Sequence, residues 1–417
     1  MIILISSIFS LSVFLIFLLK KYQTLCKIEF VQISNSRNKK TLNPQKPNIL
    51  VICSEIGFGG REVATINLYN NLIENGFKTS ILVSQNSGMQ QQLKNLKIAH
   101  YSIFSKRIFK KQRFWGLTKN ILKVCNENDI NIIHCNSWKE IIAAKKAGKK
   151  LNIPVLLSQH DFSRIRPKYL KNLAAVFAGS KPIKELIKQR VKNIKIVEFL
   201  PPFFNAQPFL NFDKSLSLSK EDFFKKHFDI ELEPNIPFAV CIANVAKNKN
   251  QTILLKAMQK LIYKNNKPLQ IIFVGNNKGE YFEECQKLVS ALKLEKFAYF
   301  VGFSSLTAEI LFYSDFKILP SKQEAFGIVL LEAALMKKAS IGATTTGAEN
   351  VILNNQTGLL FENDNANDLA NKIKLFLDNK ELVAKFGENA YKLVSENYLP
   401  SITIKKLEHS YNQIIQK

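Results

Sequence analysis

The chain has 417 residues, 46% hydrophobic and 22% charged, and a formal net charge of +26. That length carries two domains of ordinary size, and that balance is one of packed cores, not of a disordered chain. Lysines run along the whole chain instead of forming one tail. Such a field favours anionic partners (phosphates, acidic lipid headgroups or nucleic acid), or it reflects nothing more than a biased codon composition. The six cysteines, Cys26, Cys53, Cys125, Cys135, Cys241 and Cys285, include no Cys-x-x-Cys spacing and lie mostly in apolar runs. They read as reduced core thiols in a reducing compartment, not as a disulfide framework or a metal site.

Ile2–Leu19 is almost wholly apolar and ends at Lys20-Lys21. About 18 such residues approach the minimum for a membrane-spanning helix. The charges follow the apolar run, unlike those of a cleaved signal peptide, and they place the remainder of the chain on the cytoplasmic side. Residues 1–21 are therefore expected to be a single-pass anchor, with a greasy helix docked on the protein as the alternative. Residues 22–47 read as a basic polar linker suited to anionic lipid.

From Asn48 a strand–helix alternation begins. Apolar, β-branched runs fall at Asn48–Cys53, Thr79–Val83, Ile130–His134, Val155–Ser158, Ala174–Ala178 and Ile194–Phe199. Helical patterns lie between them at Glu62–Asn75, Phe114–Asn126, Trp138–Leu151 and Pro182–Arg190. The alternation predicts a parallel sheet covered on both faces. Pro201-Pro202 interrupts it, and residues 203–235 read as a connection with one amphipathic helix near Lys220–His227.

A second alternation follows, with strands at Phe238–Ala243, Leu269–Val274, Tyr299–Val301, Phe316–Leu319 and Ala339–Ala343. Helices are predicted at Thr252–Tyr263, Glu280–Leu292, Ala308–Tyr313, Ile328–Met336, Asn367–Leu377 and Leu382–Glu396, with a terminal helix at Ile402–Ile415. The predicted fold class is α/β, with two facing Rossmann-like doubly wound domains. The boundaries are 48–202 for the N-terminal Rossmann-like domain, 236–399 for the C-terminal Rossmann-like domain, and 400–417 for a C-terminal helix that packs back on the N-terminal domain. Ligands of open parallel sheets bind outside the C-terminal strand ends, so the cleft between the domains is the expected site.

Several loops at those strand ends can carry chemistry. Ser321-Lys-Gln-Glu-Ala-Phe-Gly327 separates a buried strand from a helix, and Glu324 and Glu332 frame that helix start, an anion-binding geometry. Ser54–Glu62 holds Gly59 and Gly60, which permit close backbone approach to a ligand or simply make a βα turn. Two of the five histidines, His134 and His160, fall at C-terminal strand ends, where they are either functional or structural. Lys247 and Lys249 precede a helix and suit a diphosphate, or form a solvated pair. Gly347 again allows close backbone approach. There is no Asp-x-Asp for a divalent metal, no phosphate-binding G-x-x-x-x-G-K-[ST], no nucleophile elbow and no aromatic–basic nucleic-acid motif.

Taken in order, these pieces resemble a retaining glycosyltransferase of the B fold, of the large family 4 type (glycosyl transferases group 1). The resemblance runs from Asn48 to the C-terminal helix. Its strongest part is Pro320-Ser-Lys-Gln-Glu-Ala-Phe-Gly-Ile-Val-Leu-Leu-Glu-Ala333, which resembles the family's P-S-x-x-E-x-F-G-x-x-x-x-E-A signature. Supporting elements are Gly59-Gly60-Arg-Glu62, His160-Asp161, Lys249-Asn250, Val301-Gly302, Gly347-Ala-Glu349 and Thr357-Gly358.

The resemblance implies roles. Glu324 contacts donor-sugar hydroxyls, Glu332 binds the ribose, and Ala325, Phe326, Gly327, Ile328 and Val329 present backbone to the sugar and diphosphate. Lys249 neutralises the diphosphate, Gly59 and Gly60 close on the phosphates, and His160 touches the sugar near the reacting carbon. Gly302 and Asn244 join the donor site. Asn244 stands where the family often has an arginine, and Lys247 is the nearby cation. Stabilising the leaving diphosphate is the main catalytic demand, which N–H donors and Lys⁺ meet without metal or other cofactor. The expected partners are a nucleotide sugar, a glycan or lipid-linked acceptor and the membrane, with no nucleic acid. Acceptor contacts are expected from Ser84–Arg113 or Ser163–Tyr169. Two alternatives stand beside this: a sugar-nucleotide epimerase or hydrolase on the same fold, and a non-catalytic basic membrane adaptor.

Overall fold

The computed structural model describes residues 28–32, 42–57, 59–103, 110–162, 165–213, 218–345 and 347–416. The chain divides into two compact units, residues up to Phe204 together with Ile404 onward, and Asn205–Thr403.

The first unit is built on an 8-stranded sheet in the order β1-β4-β3-β2-β5-β6-β7-β8. Its strands are β1 Ile28–Val31, β2 Ile49–Cys53, β3 Thr79–Ser84, β4 His100–Ile103, β5 Ile132–Cys135, β6 Val155–Gln159, β7 Ala175–Ala178 and β8 Ile196–Phe199. All neighbours are parallel except β1, which runs antiparallel along β4 with Ile28 opposite Ile103. The central strands are hydrophobic on both faces. Ile49, Val51 and Cys53 enter one cluster with helices Gly60–Glu74 and Gly88–Asn95, while Leu50 and Ile52 enter another with helices Lys110–Glu127, Ile141–Leu151 and Lys181–Arg190. Each fully buried Leu or Ile contributes about 1.5–3 kcal/mol, so a strand buried on both sides must be almost wholly apolar. The terminal helix Pro400–Ile415 adds Ile404, Leu407 and Tyr411 to the first of these clusters.

The second unit has a 6-stranded, all-parallel sheet in the order β11-β10-β9-β12-β13-β14. The strands are β9 Phe238–Ile242, β10 Gln270–Val274, β11 Ala298–Gly302, β12 Phe316–Leu319, β13 Ser340–Ala343 and β14 Gly358–Phe361. Both sheets are doubly wound: the strand order reverses between β2 and β5 in one and between β9 and β12 in the other. Ligands of such sheets gather outside the C-terminal strand ends at that reversal.

The elements differ from expectation in places that have a physical cause. Ile28–Val31, read as linker, is an edge strand paired on one side, with Glu29 and Phe30 exposed. β4 carries His100, Tyr101 and Ser102 and so lacks an apolar signal, yet His100 and Ser102 are buried. β14 and helix Gly88–Asn95 also escaped the pattern, and a short helix, Gln207–Leu210, lies within the connection. The five described cysteines are buried free thiols, and Cys26 lies outside the described residues. Among the described residues no helix is long and apolar enough to cross a membrane; the expected anchor, 1–21, lies outside them.

Candidate active site

In the second unit, the loops leaving the adjacent strands β9 and β12 meet. Lys249 Nζ donates to Glu324 Oε2 at 2.6 Å, with side-chain exposures of 23% and 13%. The Lys322 amide donates to the Asn248 carbonyl at 2.9 Å, and Lys322 Nζ and Asn250 Nδ2 both reach the Asp364 carboxylate. Asn363 Nδ2 donates back to the Lys322 carbonyl at 2.9 Å. Three strand ends, those of β9, β12 and β14, are thus laced together; Lys249 and Glu324 were marked from the sequence, Asn363 and Asp364 were not.

The signature loop is held from below and behind. Phe326 is buried, its ring 5.6 Å from that of Tyr398. Gly327 caps helix Ile328–Leu335 in the left-handed region (φ 84°), where a side chain is strained, and no side chain caps the helix start. The first amide groups of that helix, with the partial positive charge of its N-terminus, are therefore available to an anion. Ala325 is exposed, and Ile328 and Val329 are half-exposed. Gly347 packs so tightly that an added Cβ would lie 2.2 Å from the Glu324 carbonyl oxygen. Its close approach is therefore to the signature loop itself.

Glu332 sits on this helix. Burial pushes its carboxyl up to about 7, and the Lys317 ammonium pulls against that rise. Glu324 and Lys249, assigned separate jobs from the sequence, form one ion pair. Lys249 is thus already neutralised by a carboxylate, while the helix start and exposed Lys247 add positive charge at this end.

Two expected donor residues are differently employed. Asn244 braces a neighbouring loop: its Oδ1 accepts from the Asn276 amide at 3.1 Å, and its carbonyl accepts from Gln251 Nε2. Gly302 ends β11 with φ 75°, its carbonyl accepting from the Gly275 amide at 2.8 Å. It stands two strands away from the reversal, and its glycine is required by the turn.

The first unit gathers its polar side chains at the equivalent place, where β2, β5 and β6 end. Arg61 bridges Glu55 at 3.1 Å and Asp161 at 2.6 Å, and Lys139 and Ser137 also bond Glu55. Glu140 is fully buried, accepts from Ser54 Oγ at 3.0 Å, and is pushed up to about 8 by burial. His160 hydrogen-bonds Asn136 Oδ1 at 3.1 Å; burial, helped by the Arg61 charge, lowers it to about 4, so it is neutral at pH 7. Gly59 is the N-cap of helix Gly60–Glu74, its amide donating to Glu62 at 2.8 Å. A Cβ on Gly60 would meet nothing within 4 Å, so the fold itself does not demand glycine there.

His134 is structural. It is completely buried, with Nδ1 at 2.6 Å from the Tyr411 hydroxyl and Nε2 at 2.8 Å from Ser158 Oγ, and burial lowers it to about 3. Glu55, Lys139 and Glu140 were not singled out from the sequence. Their only signal was position, just past a strand's C-terminal end.

The Glycosyltransferase Family 4 model matches residues 58–202 and the Glycosyl transferases group 1 model matches residues 222–393. The chain belongs to the group 1 glycosyltransferases. This glycosyltransferase has the two-unit B fold, and membership of an enzyme family displaces the adaptor reading. N-acetyl-alpha-D-glucosaminyl L-malate synthase of Bacillus anthracis is 24% identical over 309 residues, 72% of this chain and 79% of that protein. Among solved structures, a glycosyltransferase from Rickettsia africae ESF-5 superposes with a TM-score of 0.76 at 23% identity, covering 89% of this chain and 100% of that one. Anabaena Alr3699/HepE in complex with UDP and glucose gives 0.73 at 17% identity, covering 88% and 100%. At these identities the structural likeness speaks to the fold.

Proposed function

We propose that this glycosyltransferase moves a hexosyl group from a nucleotide-diphosphate sugar to a lipid-linked or surface-glycan acceptor, with retention of anomeric configuration and without a metal. The observation that carries the donor half is the Lys249–Glu324 pair at the sheet reversal, set before the uncapped start of helix Ile328–Leu335. In this reading the diphosphate takes the helix-start amides, with Lys249 sharing its charge between the phosphate and Glu324. Glu324 accepts from hydroxyls of the transferred sugar and Glu332 from those of the ribose. Electrostatic stabilisation of the leaving diphosphate supplies most of the acceleration. The UDP and glucose bound by the Anabaena neighbour support a donor of this class.

His160, neutral and fixed by Asn136, is suited to hydrogen-bond a sugar hydroxyl without adding charge. The open space over Gly60 fits a ligand's close approach to that backbone.

The membrane half of the proposal rests on the apolar run Ile2–Leu19 and on the direction of β1. Because β1 is antiparallel, Ile28 stands at the end of the sheet where the parallel strands terminate, the end bearing His160 and Glu55. Residues 20–27 reach at most about 28 Å. An anchor before them therefore keeps that end near the bilayer, on the cytoplasmic side, and raises the effective concentration of a lipid-linked acceptor.

One experiment tests both halves. Membranes from cells expressing the full chain are assayed for sugar transfer from UDP-sugars to endogenous lipid acceptor. Glu324→Gln abolishes transfer while leaving the melting temperature unchanged, and removal of residues 1–21 releases the protein from the membrane fraction. Undiminished transfer by Glu324→Gln refutes the role of Glu324; stoichiometric hydrolysis of the donor without acceptor favours the hydrolase reading; continued membrane pelleting of the truncated chain refutes the anchor.

A further inference from the structure

One buried cation stands outside every ion pair described above. Lys317 lies in β12 with no exposed surface, and its Nζ has no hydrogen-bond partner. Its strand neighbours Phe316 and Ile318 join the cluster that includes Ala239, Cys241 and Ile341. Alternation along the strand turns Lys317 to the other face, the one covered by helix Ile328–Leu335. An apolar side chain would be cheaper there, because an unpaired ammonium loses its hydration and gains nothing back.

The charged and titratable groups acting on Lys317 come from four segments. They are Cys241 on β9, Glu332 on the helix, Glu324 in the signature loop and Lys249 in the loop after β9. Cys241 is a neutral thiol near pH 7, since burial pushes it up to about 11. Lys249 is taken by Glu324. Glu332, on the helix that covers this face, is thus the carboxylate left to act on Lys317, at longer range than a direct ion pair, and Lys317 is the cation that acts on Glu332.

We propose that Lys317 is a positioning residue of the donor site, holding Glu332 as a carboxylate from beneath so that it accepts hydrogen bonds from the nucleotide's ribose hydroxyls. This rests on the reading of Glu332 as the ribose-binding residue. A protonated Glu332 would present a donor where an acceptor is wanted. Burial raises Glu332 to about 7 even with the cation present, so nucleotide binding weakens as pH falls through that value. Without the cation, the loss begins at higher pH.

The test is calorimetric titration of the full chain with UDP between pH 6 and 9, for wild type, Lys317→Met, Glu332→Gln and the double variant. Lys317→Leu is the second apolar choice should the methionine pack poorly. The expected result for Lys317→Met is a pH profile for UDP affinity displaced upward by about 1–3 pH units. At pH 7 this is a loss of roughly fivefold or more, with a melting temperature equal to or above wild type. Glu332→Gln weakens and flattens the profile, and the double variant matches it. A wild-type profile in Lys317→Met, with Glu332→Gln flattened, overturns the role of Lys317 and leaves that of Glu332 intact. UDP binding unaffected by Glu332→Gln overturns the ribose reading itself.

Discussion

Gly347→Ala separates the site's geometry from the unit's stability. Gly347 has ordinary helical dihedrals (φ −79°, ψ −48°), so alanine adds no backbone strain. Its Cβ, however, would lie 2.2 Å from the Glu324 carbonyl oxygen, 2.5 Å from the Glu324 carbonyl carbon and 2.6 Å from that of Ala325, where real contacts begin near 3.0 Å. The signature loop must therefore retreat by about 0.8 Å, a displacement of the size that costs roughly 10²-fold when it misplaces a catalytic group. The same shift pulls Glu324 from Lys249, now at 2.6 Å. Overpacking of this kind costs about 1–3 kcal/mol of stability.

Gly387→Ala is the matched control. Its Cβ would come within 2.1 Å of the Lys337 carbonyl oxygen, an equal overlap away from the signature loop. Both variants should melt several degrees early, roughly 2–4 °C per kcal/mol for a unit of this size. Only Gly347→Ala should lose kcat/KM, by about 10²-fold per folded molecule. Wild-type kcat/KM in Gly347→Ala, or an equal loss in both, would refute the view that this glycine exists to seat Glu324.

Two buried histidines should weaken the first unit in mild acid, against the opposite trend of Glu140, whose carboxyl burial raises to about 8 so that the folded chain holds a proton there. His134 and His160 are held neutral by burial, at about 3 and about 4, so the unfolded chain binds more protons below the ordinary value of 6.5. Their stabilising contribution is complete well above 6.5 and falls by about 2 kcal/mol together between pH 6.5 and 5.5. Urea denaturation at the two pH values checks this, and no pH dependence beyond that of a His134→Gln, His160→Gln double variant would contradict it. Tyr411→Phe removes the hydroxyl 2.6 Å from His134 Nδ1 and leaves a buried ring nitrogen unpaired. It should cost about 1–3 kcal/mol in the same assay with kcat/KM unchanged.

Doubly wound sheets are legible because their central strands are buried on both faces. Asn48–Cys53 and Phe238–Ala243 have nowhere polar to point, and their length and flanking turns distinguish them from helices. Edge and polar strands are not legible by the same rule. Ile28–Val31 lies in a basic segment and is set by its pairing with β4, an event far away in sequence. β4 buries His100 and Ser102, which no alternation rule would send inward. The strand, loop and helix around the signature were legible, because strand, Pro320, polar loop and Phe326-Gly327 follow one another locally. What happens there was less legible: that Lys249 and Glu324 meet depends on β9 and β12 being neighbours, which follows only from the strand order.

Lys317 shows the limit most sharply. Within Phe-Lys-Ile-Leu the lysine is a blemish in an otherwise apolar run, and the run reads as a strand in spite of it. The fold buries that ammonium completely and gives it no hydrogen bond, so local packing alone would select against it. The carboxylates whose charge offsets that cost, Glu332 on the next helix and Glu324 in the loop, both belong to the signature. A residue that is costly where it sits, and whose charged counterpart is a residue assigned to the substrate, is better explained by the state in which the substrate is bound than by the stability of the empty fold. The same reasoning separates the two signature carboxylates: Glu324 meets its lysine near the surface, where a phosphate can compete for it, while Glu332 feels the charge of Lys317 from the buried strand beneath its helix.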